Sequence, residues 1–399
     1  MELTPPELGD YCLHRMKAFK LFDLFCGTGG FSKGFEKSGN ARYQTLLGVD
    51  ILPVSVKTFS LNHPAALAIP GDIRRLRCDD LQERLKLKPG ELDLIIGGPP
   101  CQGFSSIRPF RSSAEDDSRN TLFEQFANFV NFFRPRALVI ENVVGLATHN
   151  NGSALAQMQE CFASLGYDCD WRILNAAHFG VPQRRERLVF VGVQKGGRRV
   201  FPQPTHESNG STIGHHDRSR MLIPQEDLFT PKLNLKSAVT VLDAIDDLPP
   251  IKSGESSDRY ERAPRNDYQR LRRNGCKKLD LHYSTAHTPR MLEIIRHSGK
   301  NISAIPSHLI SSGFSSCYSR LDGDVPSVTI TVNFVHPASN RCIHPKCDRA
   351  LTPRECARLQ SFDDEFQFAG NRSQVVKQIG NAVPPLLGKA IGEALVKML

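Results

Sequence analysis

Between about Phe19 and Val193 the chain repeats short apolar runs separated by amphipathic stretches of helix length. The runs Phe19–Leu24, Thr45–Val49, Ala66–Ile69, Leu92–Ile96, Ala137–Glu141, Tyr167–Leu174 and Arg187–Val193 are candidate strands. Gly30–Ser38, Val54–Asn62, Thr121–Phe133 and Ser153–Ser164 are candidate helices; in the third, Leu122, Phe126, Phe129, Val130 and Phe133 fall at helical spacing. Apolar runs alternating with helices imply βαβ units and a parallel sheet covered on both faces. Such a sheet binds its ligands beyond the carboxyl ends of its strands, so the residues that follow each run carry the functional information.

After Lys195-Gly196-Gly197-Arg198-Arg199 the rhythm stops. Residues 200–330 are rich in Pro, Ser, Gly, Asp and Arg and read as a second, irregular domain, which fits a 399-residue chain. Thr352–Gln360 resumes a helix, with Thr352 and Glu355 at capping-box spacing, and Gln378–Leu399 reads as a turn and then a helix from Pro384-Pro385. Lys plus Arg exceed Asp plus Glu by 51 to 42, a balance compatible with a polyanionic partner. Eleven scattered cysteines, an acidic and proline-containing Met1–Gly9, and no apolar run of membrane length suggest a reducing, cytoplasmic setting. Cys342-Ile343-His344-Pro345-Lys346-Cys347 lacks a second ligand pair at zinc spacing, so no metal is expected.

Four strand ends carry chemistry. Leu92–Ile96 runs into Gly97-Gly98-Pro99-Pro100-Cys101-Gln102-Gly103-Phe104-Ser105, where rigid backbone holds a thiol. Cys101 is there either a nucleophile or a small buried apolar residue. The first strand ends in Asp23-Leu24-Phe25-Cys26-Gly27-Thr28-Gly29-Gly30-Phe31-Ser32, a glycine turn opening a helix. Ser32 stands where a dinucleotide fingerprint wants glycine, which disfavours NAD. Gly48-Val49-Asp50 offers a carboxylate for ribose hydroxyls, and Gly71-Asp72-Ile73 an acceptor for an adenine amine. Ribose and adenine readers without a phosphate loop fit S-adenosylmethionine; acids that merely cap helices are the other reading.

Taken together and in this order, these segments resemble the DNA cytosine-5 methyltransferases over nearly the whole chain. Asp23–Phe31 is similar to the family's first signature, Gly97–Ser105 to its catalytic one and Glu141-Asn142-Val143 to the next. Phe179-Gly180-Val181-Pro182-Gln183-Arg184-Arg185-Glu186-Arg187 resembles the arginine-rich signature, and Arg349–Gln360 and Gln378–Pro385 the last two. The chain departs from many relatives at Asp363, where they have proline, and at Asp50, where several carry glutamate.

The resemblance implies a Rossmann-like α/β S-adenosylmethionine-dependent catalytic domain over 1–197. A smaller irregular target-recognition domain and hinge would follow over 198–372, with a C-terminal segment 373–399 returning to the first. It implies Cys101 as nucleophile on carbon 6 of cytosine, Glu141 on the ring nitrogen and amine, and Arg185 and Arg187 on the base or ordering the site. Phe25, Gly27, Gly29, Asp50, Ile51, Asp72, Ile73, Pro99, Leu122, Asn381 and Val383 would line the cofactor pocket. Gln102, Ser105 and Thr331 would contact DNA. So would Arg272 and Arg273, from the densest basic cluster of the second domain (Arg259, Arg262, Arg265, Arg270, Arg272, Arg273, Lys277, Lys278). The expected partners are double-stranded DNA and a cognate restriction endonuclease, with a monomeric, bacterial, cytoplasmic enzyme. Phe104–Thr121 is expected to close over DNA. A tRNA substrate and a catalytically dead DNA-binding relative are the competing readings; the family's Cys-Phe-Thr tRNA element is absent, and Cys101, Glu141 and the cofactor glycines are present.

Overall fold

The computed structural model describes residues 18–88, 90–100, 120–148, 152–197, 200–208, 234–310 and 313–399. Seven strands form one sheet: β1 (Phe19–Leu24), β2 (Tyr43–Asp50), β3 (Leu67–Pro70), β4 (Leu94–Gly97), β5 (Ala137–Asn142), β6 (Tyr167–Asn175) and β7 (Glu186–Gln194). Their order is β3-β2-β1-β4-β5-β7-β6. Helices α1 (Gly30–Glu36), α2 (Pro53–Asn62), α3 (Cys78–Leu85), α4 (Asn120–Phe133), α5 (Gly145–Thr148) and α6 (Ser153–Ser164) lie between the strands.

Successive strand residues point to opposite faces. Phe22, Ile95, Leu138 and Ile140 therefore pack under Phe126 and Val130 of α4 and Met158 and Phe162 of α6. Leu21, Leu94, Ile96 and Val139 point the other way, against Phe31 and Phe35 of α1. Burial on both faces is why these strands read as continuous apolar runs. The sheet is not wholly parallel, as the rhythm alone suggested: β7 runs antiparallel to both β5 and β6. Only residues 176–185 separate β6 from β7, too few for a crossover of a dozen or more residues.

The second domain has its own core. Helices α7 (Val241–Ile245), α8 (Asp267–Arg273), α9 (Pro289–Arg296), α10 (Pro353–Leu359) and α11 (Arg372–Asn381) are short. Val241, Ile245, Leu279, Leu351, Leu359, Phe362 and Ile379 are among the residues that make up its apolar cluster. The turn expected at Gln378 is instead the last turn of α11, and the chain returns to the first core with α12 (Pro385–Leu395). Leu387, Ile391 and Leu395 of α12 pack beside Phe31 and Phe35 of α1. The capping box at the start of α10 is formed: Glu355 N–H donates to Thr352 Oγ1 and Thr352 N–H to Glu355 Oε2.

A buried ion network runs alongside this apolar cluster. Arg358, fully buried, donates to Asp247 Oδ1 at 2.6 Å and to Asp364 at 2.9 and 2.6 Å. Arg273 donates to the other Asp247 oxygen at 2.7 Å, and Arg349 makes a two-pronged pair with Glu355 at 2.9 and 2.7 Å. Burial alone would raise the Glu355 and Asp364 carboxyls; the charges of Arg349 and Arg358 outweigh it, holding Glu355 well below the usual range and lowering Asp364. Burial also pushes His344 down to about 4. Its Nδ1 accepts from the backbone N–H of Lys346 and Cys347, each at 3.0 Å, so the folded ring is neutral.

Removing one partner from such a network strands a desolvated charge. Asp247→Ala is expected to cost about 3–5 kcal/mol in urea unfolding. Acid should act in the same direction. A lowered histidine contributes stability above its ordinary value of about 6.5 and loses it as pH falls toward 4; lowered carboxylates lose theirs as pH falls below about 4. Urea midpoints measured from pH 7 downward should fall first gently and then steeply.

Candidate active site and the junction beside it

The sheet register sets the carboxyl ends of the parallel strands in one row. Leu24 lies opposite both Val49 and Gly97, Asp50 opposite Pro70, and Gly97 opposite Ile140. Chain order reverses between β1 and β4, the switch point where an open α/β sheet forms its binding crevice. Beyond β1 the backbone turns through left-handed conformations at Phe25 (φ 62°), Gly27 (φ 51°) and Gly29 (φ 81°). At Gly29 a Cβ would also lie 2.6 Å from His63 Nε2, so both conformation and space require glycine there.

Asp50 holds this turn in place. Its Oδ2 accepts from Gly27 N–H and its Oδ1 from Leu52 N–H, both at 2.9 Å. Burial raises its carboxyl above the ordinary value despite these bonds. Each oxygen keeps a lone pair for a further donor. Ile51, 64% exposed, and Leu52, 54% exposed, form an apolar shelf beside it. An added Cβ at Gly27 would meet nothing within 4 Å, so the space over the turn is open.

The other expected pocket residues divide. Pro99 is buried at the end of β4, Leu122 packs on the first core, and Asn381 is exposed at the end of α11. The Val383 carbonyl lies 2.8 Å from where a Cβ on Gly30 would sit, so the C-terminal chain closes directly on the glycine turn. Asp72 caps a short turn, accepting from Arg74 N–H at 3.0 Å and pairing with the Arg74 guanidinium, whose hydrogen bonds hold its carboxyl low. That is the helix-capping alternative realised at this position. The Ile73 side chain points into the core at 3% exposure, not into the crevice.

At the reactive edge, Arg187 Nε donates to Glu141 Oε1 at 2.8 Å. Asn142, the next residue on β5, donates from Nδ2 to the Pro99 carbonyl at 2.8 Å, while its Oδ1 accepts from Val143 N–H at 2.9 Å. Asn142 thereby ties β5 to the Pro99-Pro100 turn. Cys101, Gln102 and Ser105, with the rest of the segment up to residue 119, lie outside the described residues.

Arg185 faces another way. It is buried, and its guanidinium donates to the Ile330 and Gly380 carbonyls at 3.2 Å each. Burial, aided by the Arg187 charge and opposed by Glu141, lowers its pKa to about 9. Gln183, fully buried, completes the joint: Oε1 accepts from Ile330 N–H at 2.8 Å and Nε2 donates to Gln360 Oε1 at 2.9 Å. Thr329 Oγ1 donates to the Arg184 carbonyl at 2.9 Å, and Arg184 N–H to the Ser327 carbonyl at 2.8 Å. The segment expected to contact the substrate through Thr331 is thus sewn to the arginine-rich segment. Gln183, Gln360 and Asn142 have structural roles that no local sequence signal announces, because their partners lie far along the chain.

The basic cluster of the second domain is not one surface. Arg272 and Arg273 are buried, paired with Asp363 and Asp247, so their charges are neutralised within the protein rather than offered to phosphates. Arg265 and Arg270 are exposed but pair with Asp246 and Asp267. Arg259, Arg262, Lys277 and Lys278 are exposed.

A Cβ on Gly380 would lie 2.5 Å from the Thr331 backbone carbon, so glycine is what lets α11 meet this segment. Gly380→Ala is expected to cost on the order of 1–3 kcal/mol by overpacking. The Ile330 and Arg184 amides should then exchange hydrogen faster than in the parent protein, while β4 and β5 amides stay protected.

Comparison with known proteins agrees with this geometry. The sequence model for C-5 cytosine-specific DNA methylases matches residues 19–397. The chain is 33% identical to the Type II methyltransferase M.AgeI of Thalassovita gelatinovora, over 94% of this chain and 99% of that protein. It is 36% identical to the Type II methyltransferase M1.HphI of Haemophilus parahaemolyticus, over 98% and 90% respectively. Among solved structures, a putative DNA modification methyltransferase encoded within an Escherichia coli prophage superposes with a TM-score of 0.70 at 25% identity, covering 96% of this chain and 99% of that one. With its switch-point crevice, its Glu141–Arg187 pair and a family match over nearly its whole length, the chain belongs to the C-5 cytosine-specific DNA methylases, as a DNA (cytosine-5-)-methyltransferase.

Proposed function

We propose that this protein transfers a methyl group from S-adenosylmethionine to carbon 5 of a flipped-out cytosine in a specific duplex sequence, through a covalent Cys101–carbon 6 adduct. The observation that carries the reading is the placement of Glu141, paired to Arg187, on the strand whose Asn142 anchors the turn leading to Cys101.

The crevice residues fit the methyl donor. The Asp50 carboxylate has acceptor capacity for ribose hydroxyls, Ile51 and Leu52 offer an apolar face to adenine, and the space over Gly27 is open. Bound there, S-adenosylmethionine would supply an electrophilic methyl group. Phe25, Gly29, Pro99, Leu122, Asn381 and Val383 would border it; Asp72 would contribute only by releasing Arg74.

Carbon 5 of cytosine is a poor nucleophile, and the protein's task is to make it a better one. The Cys101 thiolate adds to carbon 6, and the ring's electron pair moves to carbon 5. Glu141 shares a proton with the ring nitrogen and so relieves the negative charge that develops, in a geometry fixed by Arg187. Carbon 5, now enamine-like, takes the methyl group. Loss of the carbon 5 proton re-forms the double bond and expels the Cys101 thiolate. Arg185 acts from behind, holding the 330 segment to the arginine-rich segment. Flipping the base out of the duplex costs a few kcal/mol, supplied by contacts from the recognition domain. A restriction endonuclease cutting the same sequence is the expected partner.

Labelled S-adenosylmethionine with duplex DNA or tRNA tests the reading: label should enter DNA cytosines and not tRNA. Cys101→Ala should abolish both transfer and the denaturant-stable complex with 5-fluorocytosine DNA; activity retained in that variant would sink the assigned nucleophile. Glu141→Gln should lower kcat by about 10²-fold or more with little change in DNA affinity. Bisulfite sequencing of DNA from a host expressing the chain would then read out the methylated motif.

A further inference from the structure

One buried polar cluster has no part in the chemistry above. His63, 3% exposed at the end of α2, lies against the glycine turn that follows β1. Its Nε2 is 3.1 Å from the Gly29 carbonyl oxygen and its Nδ1 is 2.9 Å from Glu36 Oε1. The Gly29 carbonyl and the Glu36 carboxylate can both only accept, so each ring nitrogen is placed to donate, Nε2 to Gly29 and Nδ1 to Glu36; Ser32 Oγ is a further neighbour of Nε2 at 3.4 Å. The ring stacks on Phe59 with centroids 4.4 Å apart, and it occupies the space that a side chain on Gly29 would need. Ser32 Oγ also donates to the Gly29 carbonyl, at 3.2 Å. Burial alone would raise the Glu36 carboxyl; the hydrogen bond and charge of His63, with the charge of Lys33, hold it below its ordinary value.

The position of Gly29 gives this contact leverage. Gly29 is the N-cap of α1, and its N–H donates to the Cys26 carbonyl at 2.8 Å, so its peptide closes the turn. Helix α2 starts at Pro53, directly after Asp50, Ile51 and Leu52. A hydrogen bond from the far end of α2 to Gly29 therefore ties together the two backbone segments that would face ribose and adenine. We infer that His63 is a positioning residue for the methyl-donor site: its Nε2–H holds the Gly29 carbonyl and thereby fixes the turn on which the cofactor rests. The inference depends on that turn being the S-adenosylmethionine cradle.

Two variants separate the hydrogen bond from the packing. His63→Phe keeps a ring to stack on Phe59 and removes both nitrogens; His63→Gln loses the stack and keeps a donor. Calorimetric titration with S-adenosylhomocysteine should show affinity about five- to tenfold weaker for His63→Phe, the worth of one hydrogen bond. His63→Gln should recover at least half of that loss. In steady state, the KM for S-adenosylmethionine should rise in His63→Phe, while kcat at saturation and the KM for DNA stay within twofold. Parent-like affinity in His63→Phe, or a loss that falls on kcat and DNA KM equally, would overturn the inference. If His63→Phe does not fold, His63→Leu takes its place, and parent-like affinity for S-adenosylhomocysteine in that variant overturns the inference. Parent protein that fails to bind S-adenosylhomocysteine would overturn the cofactor reading itself, and the inference with it.

Discussion

Hydrogen bonding between β1 and β4 aligns Leu24 with Gly97, and the chemistry of this protein depends on that alignment. The two strands lie side by side although some 70 residues of chain separate them, because β2 and β3 build outward in one direction and β5 in the other. At that seam the glycine turn and the Pro99-Pro100 turn leave the sheet together. A slip of one residue in either strand would exchange its buried faces and carry the turn with it. The apolar side chains that fix the register, Phe22 and Ile95 on one face and Leu21, Leu94 and Ile96 on the other, therefore also fix where those two turns leave the sheet.

The catalytic domain was legible because its information is local. Each strand lies where the apolar runs put it, to within two residues at either end, and α12 begins at Pro385 as the double proline suggested. The parallel reading failed at β7, where the shortness of the 176–185 connection outweighs the general rhythm. The second domain was opaque for the opposite reason. Several of its partners are distant: Arg273 meets Asp247, Arg272 meets Asp363, and Arg358 meets Asp247. A run of arginines looks like a surface for phosphates until its carboxylates are found elsewhere in the chain. The same holds for Gln183 and Gln360, whose amides say nothing until they face each other.

Such a network selects geometry more than it adds stability. Buried guanidinium–carboxylate pairs recover little more than their desolvation cost, yet they tolerate few alternative arrangements. Arg358 reaches its two aspartates only with α7, α10 and the 361–364 turn in one relation, and that relation brings Gln360 against Gln183. The second domain is thus referenced to the arginine-rich segment by charge on one side and by amides on the other. Arg185 spans the joint and Arg187 delivers its position to Glu141.

The packing of α12 on α1 also has a consequence in time. The first domain is sewn shut by residues 385–395, while its own strands end at Gln194. At roughly 5–20 residues per second, a ribosome needs roughly 10–40 s to cover the interval. Throughout it the sheet has emerged without α12 beside Phe31 and Phe35, and the second domain is made before that packing is complete. The turn that opens α1 therefore gains its last support, from the chain around Val383 and from α12, only at the end of synthesis and after the second domain has been made.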